Sequence, residues 1–213
     1  GKLTCKKSHR KVALLLCKSR RNFLHSAAMK TLQAAFVSVS LAMLGLGCSR
    51  APIEAIELAN DGDKVKGSNL GEAISKYEQA TTVDPTNHRI FWKLALAYEK
   101  SDRQDKWEKI VSTCQRAEKL APTFANYFFK HGMALARLAA EKDAQKSTGN
   151  WADARGPLEE AIQKDTNIAD AHFELAEVML HIDDEQAALK GYTKAIDTNP
   201  AELSFYVPLI DLY

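Results

Sequence analysis

From Ala73 onward, apolar and small residues recur at spacings of three and four, which place them on one face of an α-helix. One register occurs four times: a small or aliphatic residue, a larger apolar residue four later, alanine three later and a turn residue five later. Its instances are Ala73, Tyr77, Ala80 and Pro85; Ile110, Cys114, Ala117 and Pro122; Ala154, Leu158, Ala161 and Thr166; and Ala188, Tyr192, Ala195 and Pro200. Because proline cannot continue a helix, the register predicts helices that end at these turn residues.

A second amphipathic pattern precedes each later register. It comprises Phe91, Leu94, Ala95 and Tyr98; Phe128, Gly132 and Leu135; and His172, Leu175, Ala176 and Met179. The alternation predicts an all-α chain of helix pairs, each burying its apolar face against the next pair. Between the second and third turn residues the spacing is longest, so we expect a lengthened helix and a loop over residues 139–150.

The combined register resembles the tetratricopeptide repeat, and the resemblance covers residues 54–213. It implies a right-handed superhelical solenoid of helix-turn-helix repeats, preceded by an N-terminal signal segment. The expected repeats span 54–87, 88–124, 125–168 and 169–202, and 203–213 begins a fifth whose remainder we expect beyond Tyr213. In the divergent first repeat, we expect a short helix over 53–60, ended by the Asp-Gly and Lys-Gly pairs before Leu70.

Tetratricopeptide repeats hold extended or helical peptides on an inner wall formed by the first helix of each pair. The resemblance assigns these groove positions to Arg89, Trp92, Leu96 and Glu99; Asn126, Phe129, Met133 and Arg137; and Asp170, Phe173, Glu177 and His181. The alternative is that the three aromatic rings pack against loops or the next helix. Trp92 and Leu96 stand where chaperone-binding members carry Lys and Asn, so a chaperone tail is not the expected ligand.

The N-terminal segment resembles a lipoprotein signal. After Met29 come Lys30, an apolar stretch over 34–46, and Gly47 before Cys48, in the order of a signal peptide. The stretch is shorter than the roughly 20 apolar residues that span a bilayer. Residues 44–48 (LGLGC) resemble the lipobox of bacterial lipoproteins, although Gly45 stands where that family prefers Leu. The resemblance implies lipidation at Cys48, a leader and signal peptide over 1–47, and a linker over 48–53.

Because Ser49 rather than Asp follows the cysteine, the lipobox resemblance implies the periplasmic face of the outer membrane in a bacterial cell envelope. Met29 is a better start than Gly1, so residues 1–28 are interpreted as upstream sequence. The competing interpretation takes the acid-poor residues 1–47 as an organelle transit peptide. The repeats would then belong to an organellar or cytoplasmic adaptor.

Charge separates the two parts of the chain. The formal net charge is +2, but the first 53 residues contain ten Lys or Arg and no acid. Residues 54–213 therefore hold 19 basic and 27 acidic residues, a net charge of −8. An acidic repeat region argues against nucleic acid as a partner, since that recognition needs clustered Lys and Arg.

No catalytic motif emerges from the sequence. A Gly-rich phosphate loop, a nucleophile elbow and a paired metal-ligand motif are all missing, and Cys114 is the one cysteine of the repeat region. A site could be imagined from His131, His172, His181, Asp183 and Asp184, but the first two occupy core positions. The sequence predicts a non-catalytic scaffold without metal, cofactor or small-molecule substrate, whose partners are a protein or peptide and, through Cys48, a membrane. The alternative is a recruiting or regulatory domain of a larger enzyme.

Overall fold

A computed structural model of the chain describes residues 50–212. It contains α1 (Ala51–Val65), α2 (Leu70–Val83), α3 (His88–Glu99), α4 (Lys106–Leu120), α5 (Ala125–Ala144), α6 (Ala152–Lys164), α7 (Ala169–His181), α8 (Glu185–Thr198) and α9 (Tyr206–Asp211). A 3-10 turn, Leu203–Phe205, precedes α9. No strand occurs within these residues, and the all-α prediction is confirmed. The predicted leader and the lipidation residue Cys48 lie outside the described residues.

Helices pack as consecutive pairs, α1 with α2, α3 with α4, α5 with α6 and α7 with α8, and each pair packs on the next. The first residue of each register is buried where helices meet: Ala73, Ile110, Ala154 and Ala188 have no exposed surface, and three of the four are small alanines. Their size lets two backbones approach while larger neighbours fill the remaining space. The predicted apolar faces therefore form the core.

Two glycines mark close approaches within the third and fourth pairs. A Cβ at Gly132 of α5 would lie 2.5 Å from Cγ of Leu158 in α6, and one at Gly191 of α8 would lie 2.8 Å from Cβ of Ala176 in α7. Real Cβ atoms do not come so close, so any larger residue would force the two helices apart.

The first helix corrects one prediction. We expected a helix over 53–60 broken by the Asp-Gly pair, but α1 continues through Gly62 to Val65. Gly62 lies against the ring of Tyr77, where a Cβ would be 2.7 Å from Cε1. The glycine therefore serves the contact between α1 and α2, and tertiary packing outweighs its poor helix propensity.

The lengthened helix is α5, whose 20 residues end at Ala144. The loop that follows folds back on the helix through Asp143. This carboxylate accepts hydrogen bonds from Nε1 of Trp151 at 2.6 Å and from the backbone N–H of Gly149 at 2.7 Å. Both bonds hold the pKa of Asp143 below its usual value. The Trp151 ring also stacks on His181 at the end of α7, with centroids 3.6 Å apart, so the loop joins two first helices.

Candidate functional site

The groove positions assigned by resemblance lie on α3, α5 and α7, the first helices of three pairs. Arg89, Asp170 and His181 are exposed. The half-buried members are Trp92, Leu96, Glu99, Asn126, Phe129, Arg137, Phe173 and Glu177. Met133 differs from expectation, because it is only 6% exposed and its sulfur lies beneath the ammonium of Lys130, 4.0 Å away. We call the eleven others, with the ion-paired residues described next, the first-helix wall.

Three ion pairs join consecutive first helices. Lys93 of α3 contacts Asp63 of α1. Lys130 of α5 lies 2.6 Å from Glu99 of α3, and Glu174 of α7 lies 2.5 Å from Arg137 of α5. Helices α1, α3, α5 and α7 therefore lie side by side, with polar side chains meeting at each joint.

Of the six residues in this row, the sequence analysis named Glu99 and Arg137 and missed the other four. Lys93, Lys130 and Glu174 each follow a turn residue by eight positions, after Pro85, Pro122 and Thr166, respectively. A charged residue at one fixed place in three repeats is a detectable pattern. Its partners could not be found in this way, because Asp63, Glu99 and Arg137 do not share one position in the repeat.

The aromatic rings of the wall are supported from behind. Trp92 meets the edge of Tyr127, with ring centroids 5.6 Å apart, and Phe173 stacks on Phe205 at 5.0 Å. Phe129 packs against the core formed by α5, α6 and α7. Each ring is half-buried. One part of each ring packs against its own protein, as the alternative interpretation expected, and the rest is candidate contact surface for a partner.

Tyrosine hydroxyls hold two acids of the first helices. Tyr77 donates to Asp63 at 2.8 Å, and Tyr192, at the same place in its repeat, donates to Glu177 at 2.5 Å. Burial, followed by the hydrogen bond to the neighbouring carboxylate, raises the pKa of both hydroxyls far above the usual value. The tyrosines thus remain neutral donors that fix the direction of each carboxylate.

Glu174 is the most enclosed acid of the wall. Its side chain is 10% exposed, and its Oε2 atom is buried without a hydrogen-bond partner among residues 50–212. Burial raises the pKa of Glu174 even though Arg137 works in the opposite direction. The joint between α5 and α7 therefore holds a carboxylate that its surroundings only partly compensate.

The histidines and acids considered as a catalytic site have separate structural contacts. Nδ1 of buried His131 lies 2.9 Å from Glu118, and Nε2 of His172 lies 3.0 Å from the carbonyl of Thr166. Asp184 caps α8 by accepting a hydrogen bond from the N–H of Ala187 at 3.1 Å. None of these contacts joins one of the considered residues to another within the described region, so the structure does not assemble them into one site.

Residues 50–212 contain no cluster of three or more His, Cys, Asp or Glu arranged to hold a metal ion. In the same range, none of the helices combines the length and apolarity needed to cross a bilayer. Cys114 is a free, buried thiol, and burial raises its pKa to about 12. A thiol in this state is a poor nucleophile.

The family model described as TPR repeat matches residues 64–102, from the end of α1 to the loop after α3. No relative was found among curated proteins. A MamA crystal structure is 24% identical and covers 71% of this chain and 82% of its own, with a TM-score of 0.60.

Two further solved structures have the same fold. MamA from Desulfovibrio magneticus RS-1, residues 41 to the end, is 14% identical over 75% of this chain and 83% of its own, with a TM-score of 0.63. TTC0263, a thermophilic TPR protein in Thermus thermophilus, is 20% identical over 70% of this chain and 75% of its own, with a TM-score of 0.51. At these identities the likeness concerns the fold. The helix pairs, the close helix crossings at glycine and the match over residues 64–102 agree that this chain has the fold of a tetratricopeptide-repeat solenoid.

Proposed function

We propose that this chain is a non-catalytic scaffold that binds an extended or helical segment of another protein along the first-helix wall. The observation that carries the proposal is the row of three ion pairs between consecutive first helices. Because the pairs hold α1, α3, α5 and α7 side by side, the side chains between them form one continuous surface. The fold alone would not carry this proposal, since one fold hosts many functions.

The composition of the wall suits recognition of a polypeptide. Half-buried aromatic rings alternate with charged side chains at one-turn spacing, a combination typical of peptide anchors. Trp92 and Phe173 are held from behind by Tyr127 and Phe205. Rings that are already fixed lose little conformational entropy when a guest segment packs on them, so support from behind favours binding.

Exposed wall residues allow a test that spares the core. A library of random 12-residue peptides is selected on the full chain, and the affinities of selected peptides are measured by fluorescence anisotropy. The double variant Arg89→Glu and Asp170→Arg should weaken binding about tenfold or more, since reversal of a contact charge costs at least about 1.4 kcal/mol.

A charge-matched control uses exposed residues of α4, a second helix. The double variant Glu108→Arg and Lys119→Glu should leave the affinity unchanged, and both variants should keep the helical circular dichroism of the parent. Selected peptides that bind the wall variant as well as they bind the parent would refute the wall as the binding surface.

We also propose that Cys48 carries a lipid that holds the scaffold at the bacterial envelope, where it supports assembly of a complex. The LGLGC sequence before Ser49 is the support for this proposal. Two acyl chains would anchor the chain stably, whereas one would not. Expression in a bacterial host with labelled palmitate should give a labelled product, and globomycin should block its processing. A Cys48→Ala variant that still takes up label would rule the assignment out.

A further inference from the structure

The first-helix wall opens into a cavity of about 300 Å³ between α1, α2 and α3. Its charged lining consists of Asp63, Lys66, Lys93 and Lys100, and its apolar lining includes Leu70 and Leu96. We infer that this cavity receives an acidic side chain of the partner segment, together with an adjoining aliphatic side chain. The inference rests on the proposed function and adds the chemistry of the residue that is recognised.

The cavity carries more positive than negative charge. Both oxygens of Asp63 are engaged: Oδ1 accepts from Tyr77 at 2.8 Å and from Lys66 at 3.4 Å, and Oδ2 accepts from Lys93. Lys100 has no ion pair within residues 50–212. Three lysines therefore share the lining with one carboxylate, and their excess positive charge can be balanced by a second anion.

Lys100 lines the cavity, whereas the resemblance assigned the groove position there to its neighbour Glu99. Lys100, Arg137 and His181 each follow a turn residue by 15 positions, whereas Glu99 follows by 14. Glu99 instead pairs with Lys130 of α5. The two side chains thus separate, with Glu99 closing the joint to α5 and Lys100 facing the cavity.

The size and the lining define the ligand class. About 300 Å³ is at the small end of ligand sites, which suits one or two side chains. Leu70 and Leu96 offer apolar contact to a methylene stem or to an aliphatic neighbour. A carboxylate is the anion that the side chains of an unmodified segment supply, and the net positive charge of the lining attracts it. An Asp or Glu beside an aliphatic residue fits this combination.

Charge along the wall also orients the partner. At the other end, α7 presents Asp170 and Glu177. A segment with its acid in the cavity therefore places any basic residue most favourably toward α7. The two ends of the wall select opposite charges, so reversing the order of the guest's charges should weaken binding.

The test uses peptides from the 12-residue library selected on the full chain, measured at low salt. Selected sequences should be enriched in Asp or Glu beside Leu, Ile, Val or Met. Replacing that acid by its amide should weaken binding about tenfold, in the range of a lost contact between charged groups. The protein variant Lys66→Gln with Lys100→Gln should cause the same loss, and combining peptide and protein changes should add little more.

Lys119→Gln with Lys142→Gln removes two exposed lysines from outside the cavity and should leave the affinity unchanged. Two outcomes would overturn the inference while the proposed function stands. In the first, the selected peptides depend on the wall but show no preference for Asp or Glu. In the second, replacing the peptide's acid weakens binding but the Lys66 and Lys100 variant does not. A phosphoserine that binds more tightly than the selected acid would overturn the carboxylate assignment. Binding that survives the Arg89 and Asp170 variant, or a selection that yields no binder, counts against both.

Discussion

The joint between α1 and α3 and the joint between α5 and α7 use the same kind of contact in opposite surroundings. Asp63 at the first joint is 31% exposed and has three donors, whereas Glu174 at the second is 10% exposed and, in the described part of the chain, is held by Arg137 alone. Burial acts to raise the pKa of both acids. Hydrogen bonds from Lys93 and Tyr77 lower the pKa of Asp63 nevertheless, but burial prevails at Glu174.

The two joints show that the repeat fixes where consecutive first helices meet, and that single residues decide the charge and burial of each joint. Lys93 and Glu174 occupy the same place in their repeats, so the backbone geometry sets where consecutive first helices meet. The residue type then decides the character of the joint. Three lysines and a solvated acid leave an open, positive cavity at one end, while a buried acid under one arginine closes the other.

The largest expected effect contrasts the filled core between α5 and α6 with the border of the open cavity. Leu158 is fully buried beneath Gly132, so Leu158→Ala should lower the free energy of unfolding by about 2–5 kcal/mol. Leu96 is half-buried beside the cavity, and Leu96→Ala should cost about 1 kcal/mol or less because fewer contacts are lost. Urea unfolding followed by circular dichroism measures both, and equal losses would contradict the contrast between the filled core and the open cavity.

A smaller effect is expected at Glu174. Because its pKa is raised, the folded chain binds this proton more tightly than the unfolded chain, and stability falls as the pH rises from about 4.5 through the folded pKa. The uncharged Glu174→Gln should therefore match the parent at pH 7 or exceed it by up to about 1 kcal/mol. The difference should vanish at pH 4, where the parent is protonated. A clear loss of stability at pH 7 would show that the ion pair outweighs burial.

The smallest effect should come from Asp63, with the opposite sign. Its lowered pKa means that its contribution is present above about 3.8 and is lost as the pH falls through the folded pKa. Asp63→Asn should cost about 0.2–1 kcal/mol at pH 7, because the ion pair is partly solvated. The cost should shrink in 1 M NaCl and toward acidic pH in urea unfolding curves. A salt-independent cost would assign it to the Tyr77 hydrogen bond instead.

Much of the fold could be predicted because the repeat register is local. Ala154, Leu158 and Ala161 are each fully buried, as their spacing indicated. The first helix was harder, since Gly62 looks like a helix breaker until Tyr77 of α2 is seen against it. Gly62 belongs to none of the repeated patterns, so its contact with Tyr77 could not be found from spacing.

The candidate site was less predictable for the same reason. The resemblance assigned groove positions to α3, α5 and α7, but contacts between repeats depend on how far one helix is turned against the next. Met133 was assigned to the surface and lies beneath Lys130. Lys100 follows the repeat spacing, whereas Glu99, one residue earlier, bonds to the following repeat. Because Glu99 and Lys100 are adjacent and opposite in charge, an error of one residue in the assignment reverses the charge that a guest segment meets.

The row of ion pairs also fixes the order of the repeats. At the first two joints the earlier helix supplies the acid and the later helix the base, and at the third, between Arg137 and Glu174, the assignment is reversed. Moving the fourth repeat directly behind the second would bring Glu174 toward Glu99, two like charges at one boundary. Variants with shuffled or duplicated repeats should therefore pack well only when the order of repeats places an acid opposite a base at each joint between first helices.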